Sequence, residues 1–405
     1  MKIIGLDIGR GSAVLCCLEF FPDNIQQHYR SMIRAKAFIK LTTSTAGVER
    51  LKQLKPDGIV LEPTGHWYAH FWVTVARHLQ IKVYWVGNSD LDKLRGSYGF
   101  VNKRDSEDAL CLAATYFDPR FVNSDGSKRY LAFYYHNHYL IAQIRERFLE
   151  KEQLQKIRMG LIAQTRQRLA YEYPEAVNYA IEINPTKGYS VFVGWLTGRH
   201  ASTLHDNRYA RSVANDLGIS ISDYTRAHAE AILTSEQRIT SIIDWFTQKS
   251  EVKEFEPYLA VFDRFNFGVN LKMLLLYHCY PFEKFLSDGK PWIEREYNDS
   301  GKLQKRDRSL RKFQSYLGLG HRIKQSGELD KSSFGGSKLV RSHLYIWAVC
   351  QVAPKQQRIK SDVGKQLSDR YRELRTTVKG KDALIRILFK ATRMLYRELL
   401  NTKRS

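Results

Sequence analysis

At 405 residues the chain is longer than one hydrophobic core usually organises, which points to two or three domains. Hydrophobic residues at 43% and aromatics at 12% exclude wholesale disorder, and no stretch approaches the ~20 apolar residues of a membrane-spanning helix. The 64 Lys and Arg against 42 Asp and Glu leave a formal charge of +22, so a polyanion is the expected partner, with nucleic acid ahead of an anionic membrane surface.

Residues 2–8 read as a buried strand and Ala13 to Phe20 as a second, after the turn Gly9-Arg10-Gly11-Ser12; Lys36 to Leu41 is a third candidate. A helix at Gly47 to Leu54, a strand at Gly58 to Leu61, an aromatic-rich helix from His66 to Leu79 and a strand at Ile81 to Val86 follow, and a further helix opens near Asp105. Early strands joined by short turns, then alternating helices and strands, predict a mixed sheet covered by helices, in the order of an RNase H-like fold.

Leu140 to Tyr171 is charged and helical, with Ile141, Ile144, Phe148, Leu154, Ile157 and Leu161 at near-heptad spacing. This predicts a long arm that either packs within its own domain or forms an oligomerising coiled coil. Pro174 and Pro185 interrupt it, and Ser235 to Phe246 carries a second stripe. Beyond a boundary at Glu251 to Pro257, the charged stretch from Phe285 to Arg311 reads as a loop or insertion beside nucleic acid, and helices are expected at Ser342 to Val352 and Ala383 to Leu400. The expected domains are 1–135, an α/β catalytic domain; 136–250, helical or coiled coil; and 251–405, mostly helical. The cysteines, Cys16, Cys17, Cys111, Cys279 and Cys350, form no CxxC pair and no Cys/His ligand spacing, and no cleavable signal precedes the first strand, which fits a reducing cytoplasm.

Asp7 stands on the first strand, Glu62 ends a later one, and Asp105 and Asp108 open a helix three residues apart, on one face. Such acids can converge, and carboxylates are the donors that Mg²⁺ or Mn²⁺ takes when it stabilises both oxygens of a phosphodiester displacement. Taken singly, Asp7 could cap a turn, Asp105 an N-terminus, and Asp108 could answer the helix dipole. Glu62 is harder to explain structurally, because it interrupts Ile59-Val60-Leu61 just before Pro63-Thr64-Gly65.

Three blocks carry a resemblance: Gly5-Leu6-Asp7-Ile8-Gly9, Leu61-Glu62-Pro63-Thr64-Gly65-His66-Trp67-Tyr68, and Lys103-Arg104-Asp105-Ser106-Glu107-Asp108-Ala109. Together they resemble the DEDD insertion-sequence transposases, related to Piv-type DNA invertases, over residues 1–117. The resemblance implies a RuvC-like fold with Asp7, Glu62, Asp105 and Asp108 as catalytic metal ligands. Tyr316-Leu317-Gly318-Leu319, Gln325-Ser326-Gly327 and Gly336-Ser337-Lys338-Leu339-Val340-Arg341 are similar to the same family's C-terminal domain. That likeness implies Ser326 as a nucleophile giving a phosphoserine intermediate, with Ser332, Ser333 and Ser337 close enough to compete, although serine beside glycine is also ordinary turn chemistry.

The family further implies double-stranded donor and target DNA, a structured guide RNA of the bridge type, a homodimer or homotetramer, and a bacterial, nucleoid-associated setting. Arg306, Arg308, Arg311, Lys312, Arg322, Lys324, Lys338 and Arg341 are candidate phosphate contacts, and Trp67-Tyr68 and Tyr98 to Phe100 could stack bases or fill cores. Competing readings are a hydrolytic nuclease or junction resolvase that needs no serine, an actin-like ATPase using the turn after Asp7, and a noncatalytic nucleic-acid scaffold.

Overall fold

The computed structural model describes residues 1–63, 66–122, 128, 130–133, 139–179, 181, 190–297, 301, 303–326 and 329–403; of residues 66, 67, 88, 89, 132, 133, 139, 321–326 and 329–332 it describes the main chain only. The chain divides into two compact units, Met1–His136 and Asn137–Ser405. The first is mixed α/β; the second is helical with two small hairpins.

In the first unit the order is β1 (Ile3–Gly9), β2 (Ser12–Leu18), α1 (Ile25–Arg34), β3 (Ile39–Thr42), α2 (Thr45–Leu54), β4 (Gly58–Leu61), α3 (His66–His78), β5 (Lys82–Trp85), α4 (Asn88–Ser97), α5 (Asp105–Phe117) and β6 (Ala132–Phe133). The strands lie in the order β3-β2-β1-β4-β5-β6. β1 runs parallel to β4, and β4 to β5, whereas β2 is antiparallel to both β1 and β3, and β6 to β5. Alternation along β1 divides the core. Ile4, Leu6 and Ile8 join Ile59, Leu61 and Trp72 on one face, and Ile3 joins Val60 and Ala109 to Ala114 of α5 on the other.

Three elements depart from the sequence reading: α1, α4 and the short strand β6. The second and third strands are joined by α1, not by a short turn. Its apolar signature is thin: Tyr29 and Met32 alone are buried, and the helix is started by Asn24, whose side chain accepts from the Gln27 amide at 2.9 Å. The free thiols of Cys16 and Cys111 are buried in this unit, and Cys17 is half-buried.

The second unit begins with α6 (Tyr139–Glu172), followed by α7 (Val191–Leu196), α8 (Thr203–Ala210), α9 (Val213–Asp216) and α10 (Asp223–Lys249). α6 and α10 are antiparallel, as the pairs Glu150 with Arg238, Arg158 with Glu236 and Glu172 with Ser222 show. The arm's near-heptad stripe thus packs against a helix of its own chain. The seam follows Ile141, Ile144, Phe148, Lys151, Gln155, Arg158, Ile162, Thr165 and Leu169, so its middle is polar. Lys151 is fully buried and donates to Glu152 Oε1 at 2.9 Å and Gln155 Oε1 at 3.2 Å; Arg158 Nη2 meets buried Glu236 at 2.7 Å. Ile157, an expected seam residue, is 50% exposed, because a reading of hydrophobicity alone drifts off the seam where its residues turn polar.

The remaining elements are α11 (Glu256–Arg264), α12 (Val269–Cys279), β7 (Ile293–Tyr297), β8 (Leu303–Asp307), α13 (Arg308–Gln314), β9 (Gly320–Ser326), β10 (Leu329–Gly335), α14 (Lys338–Trp347), α15 (Asp362–Thr377) and α16 (Gly380–Asn401). One core joins Leu140 to Phe148 of α6 to Phe262, Leu274, Phe313, Leu344, Leu367 and Leu395. Cys279 is buried in it, whereas Cys350 is exposed. Ile293 to Asp307, expected as a loop, is an antiparallel hairpin, β7–β8, whose charges lie opposite one another and mask the alternation that marks a strand. Among the described residues no helix is long and apolar enough to cross a membrane.

Candidate functional site

Asp7 belongs to the α5 face of β1. It stands two residues beyond Gly5, whose missing side chain makes room for that helix: a Cβ there would lie 2.0 Å from the Ala109 carbonyl oxygen. Leu6 pairs with Leu61 in parallel register, so Glu62, the residue after β4, falls beside Asp7 as the strands end, on the face of Val60 and α5. α5 starts at Asp105 with Arg104 extended before it and carries Asp105, Glu107 and Asp108 in its first turn, where the helix dipole favours acids. The backbone approach at Gly5 therefore fixes the height of Asp105 and Asp108 above Asp7. Ser106, between them, is braced by Tyr29 of α1, hydroxyl to hydroxyl at 2.9 Å.

The four acids expected from sequence come within electrostatic reach of one another. Asp7 is pushed up from 3.8 to about 7, first by burial and then by the charges of Asp108, Asp105 and Glu62, against a smaller opposing pull from Lys103. Asp108 is raised to about 6, again chiefly by burial, with Arg95 and Lys103 pulling it down and Glu62 and Asp105 pushing it up. Asp108 is 2% exposed, and its Oδ1, 3.3 Å from Arg95 Nη1, accepts no hydrogen bond. Asp105 is exposed and Glu62 half-buried.

Among the described residues no three His, Cys, Asp or Glu side chains are gathered tightly enough to form a ready-made cation site. The chemistry of the donor set nevertheless fits a hard divalent cation: the donors are all carboxylate oxygens, one oxygen is buried without a hydrogen bond, and two acids are held up by burial and mutual repulsion. Asp7, Glu62, Asp105 and Asp108 would hold it, and Arg95 would yield Asp108. The sequence reading gave Arg95 no role. It sits on α4, thirteen residues before its partner and with no motif around it, and only tertiary packing brings the two together.

In the second unit the main chain places Ser326 at the end of β9, opposite Leu329 of β10. The side chains of Ser326, Arg322, Lys324 and Ser332 lie outside the described residues, as do Gly327, Thr64 and Gly65. The base of this hairpin is fixed by glycine. Gly318 (φ +87) and Gly336 (φ +88) are both left-handed; a Cβ on Gly336 would stand 1.7 Å from the Ser315 carbonyl oxygen, and one on Gly318 2.1 Å from that of Ser337. Two of the three C-terminal blocks singled out in the sequence, 316–319 and 336–341, thus meet through their glycines.

Several candidate contacts are already engaged. Ser337 caps α14 by accepting from the Val340 amide, and Arg341 Nη1 donates to the Gly318 carbonyl at 2.6 Å. Arg306 and Arg308 pair with Glu296 and Glu294, and Lys312 donates to the Lys284 carbonyl. Lys338 is exposed. Tyr98 is buried beneath the Arg120 guanidinium, which settles its role as core; the Trp67 side chain lies outside the described residues. Compared with known proteins, the chain matches no protein-family model and no curated sequence significantly.

Proposed function

We infer that the protein is a DNA recombinase of the transposase type, in which divalent metal at Asp7, Glu62, Asp105 and Asp108 supports phosphodiester chemistry and Ser326 is the nucleophile. The carrying observation is that those four acids, on β1, just after β4 and at the start of α5, come within electrostatic reach of one another, with Asp7 raised to about 7 by burial and its acidic neighbours. The strand order, with β2 alone reversed among β1 to β5, supports a RuvC-like RNase H fold for the first unit. The resemblance of the three acidic blocks to DEDD transposases supports the reaction class.

Mg²⁺ or Mn²⁺ in such a site supplies charge stabilisation to the reacting phosphate. The Ser326 hydroxyl attacks a DNA phosphorus, forming a serine–phosphate ester and releasing the DNA hydroxyl end, so one ester bond is exchanged for another and can be rejoined. The charge of +22 suits a duplex substrate together with a structured guide RNA, whose bases would select the sites. Strand exchange calls for several active sites and hence a dimer or tetramer. The protein would work in the cytoplasm, at the nucleoid.

A hydrolytic nuclease remains the second reading, because the four acids all lie in the first unit and water can replace serine as the nucleophile. One experiment separates the two. Protein, Mg²⁺, element-end DNA and RNA transcribed from the flanking noncoding region are incubated, and products are resolved before and after proteolysis. Wild type is expected to give protein–DNA adducts and recombinant junctions; Glu62→Gln gives neither cleavage nor adduct, and Ser326→Ala gives no adduct. Normal cleavage by Ser326→Ala without adduct would establish hydrolysis instead.

A further inference from the structure

The β7–β8 hairpin has two unlike faces. Its register pairs Ile293 with Asp307, Glu294 with Arg306, Arg295 with Lys305, Glu296 with Gln304 and Tyr297 with Leu303. On one face the charges cancel: Glu294 meets Arg308 at 2.5 Å and Glu296 meets Arg306 at 2.9 Å. The other face sets Arg295 and Lys305 directly opposite each other, both exposed, and no described carboxylate pairs with either. Asp307, the acid on that face, is committed to capping α13 through the Leu310 amide at 2.8 Å. Towards the tip stand Tyr297 and Leu303, 75% and 52% exposed, side by side.

This face is costly in isolation. Like charges directly opposite on a ribbon repel, and the tyrosine ring and the leucine beside it leave most of their apolar surface facing water. A partner that offers phosphates to the cation pair and a flat apolar surface to the ring removes both costs. We propose that the Arg295, Lys305, Tyr297 and Leu303 face of the β7–β8 hairpin binds a nucleic-acid strand at unpaired nucleotides, the two cations holding backbone phosphates and Tyr297 stacking on an exposed base. A duplex presents phosphates but keeps its base faces stacked, so it would satisfy the cations and leave the ring idle. A membrane or acidic protein offers no flat base. The proposal rests only on the nucleic-acid part of the function inferred above; the cleavage chemistry can fail without touching it.

The base of the hairpin is firm enough to present this face. The Trp292 amide donates to Ser309 Oγ at 2.9 Å and the Arg308 amide to the Trp292 carbonyl at 2.9 Å, so both strands are tied to the start of α13.

The test uses the full chain in EDTA, so that no metal-dependent step contributes, with short fluorescein-labelled DNA and RNA single strands and the corresponding duplex, titrated by anisotropy over a range of salt. Arg295→Ser with Lys305→Ser is expected to lower the slope of log affinity against log salt by about 1.4 on single strands, ~0.7 for each phosphate that is no longer neutralised. Tyr297→Ala is expected to weaken single-strand binding roughly ten-fold with the slope unchanged, and Tyr297→Phe to restore it, because stacking needs the ring alone. The double serine variant should melt no lower than wild type, since it removes a repulsion; this separates lost binding from a misfolded hairpin. An unchanged slope, or no loss with Tyr297→Ala, overturns the proposal. Equal losses on duplex and single strand also overturn it, in favour of a surface that reads duplex backbone.

Discussion

Replacing Asp7 with Asn is expected to abolish metal-dependent strand cleavage while making the metal-free protein more stable at pH 8. In the folded protein the Asp7 and Asp108 carboxyls titrate near 7 and 6, against 3.8 for an ordinary aspartate. Between those limits the folded state therefore binds more protons than the unfolded chain, and stability falls as pH rises from about 4 to about 7. The contribution is fully present below pH 4 and gone above the folded values, where all four charges face one another. Without screening, a shift of this size would correspond to ~4 kcal/mol, but Asp7 keeps contact with solvent, which reduces the expected effect to about 1–2 kcal/mol.

Thermal melts of the metal-free wild type should accordingly drop by about 2–6 °C between pH 5 and pH 8, and Mg²⁺ should restore the difference at pH 8. Asp7→Asn should flatten the pH dependence and erase the response to Mg²⁺, with activity down about a thousand-fold or more. A variant less stable than wild type at pH 8, still responding to Mg²⁺, would mean that the acids do not repel and that the cation is held elsewhere.

Gly5→Ala should be nearly as damaging to catalysis, although residue 5 carries no chemistry. The added Cβ would lie 2.0 Å from the Ala109 carbonyl oxygen and 2.5 Å from the Ala113 amide nitrogen, both main-chain atoms that cannot rotate away. α5 must lift from β1, at a cost of about 3 kcal/mol or more, and it carries Asp105 and Asp108 with it. Displacing reacting groups by about 1 Å costs on the order of 10²-fold in rate. Gly47→Ala is the matched control: its Cβ would stand 1.9 Å from the Thr42 carbonyl oxygen, but α2 holds none of the four acids. Both substitutions should lower the melting temperature, and Gly5→Ala alone should weaken the response to Mg²⁺. Equal Mg²⁺ responses in the two would show that the height of α5 does not set the site.

What the sequence disclosed follows from how local each signal is. β1, β2 and β4 are apolar runs bounded by turn residues; Asp7 was visible as an acid standing on such a strand, and Glu62 because it breaks such a run where its strand ends. The pairing of β1 with β4, which sets Glu62 beside Asp7, is a tertiary fact that the order of elements alone does not specify. α1 escaped because only Tyr29 and Met32 of its ten residues are buried. The α6 seam was followed only at its start, from Ile141 to Phe148, since Lys151, Gln155 and Arg158 occupy its middle and are satisfied by partners that hydrophobicity does not register. The β7–β8 hairpin was hidden by its charge. Arg95 could not be found at all without the packing of α4 against α5. Ser326 was singled out by resemblance to a serine-bearing block, and its local signature is that of any turn.

The distribution of thiols gives the protein an internal clock. Cys16, Cys111 and Cys279 are sealed in cores, burial holds their thiols far above the ordinary range, and Cys17 is half-covered and also raised. Cys350 alone is open to solvent. A maleimide reagent at neutral pH should therefore enter the native chain rapidly at one position, in the second unit, and reach Cys16 and Cys111 only as often as the sheet parts from α5. The slow phases of labelling would then report opening rates of the two units separately, residue by residue under mass spectrometry, in a chain that needs no engineered probe.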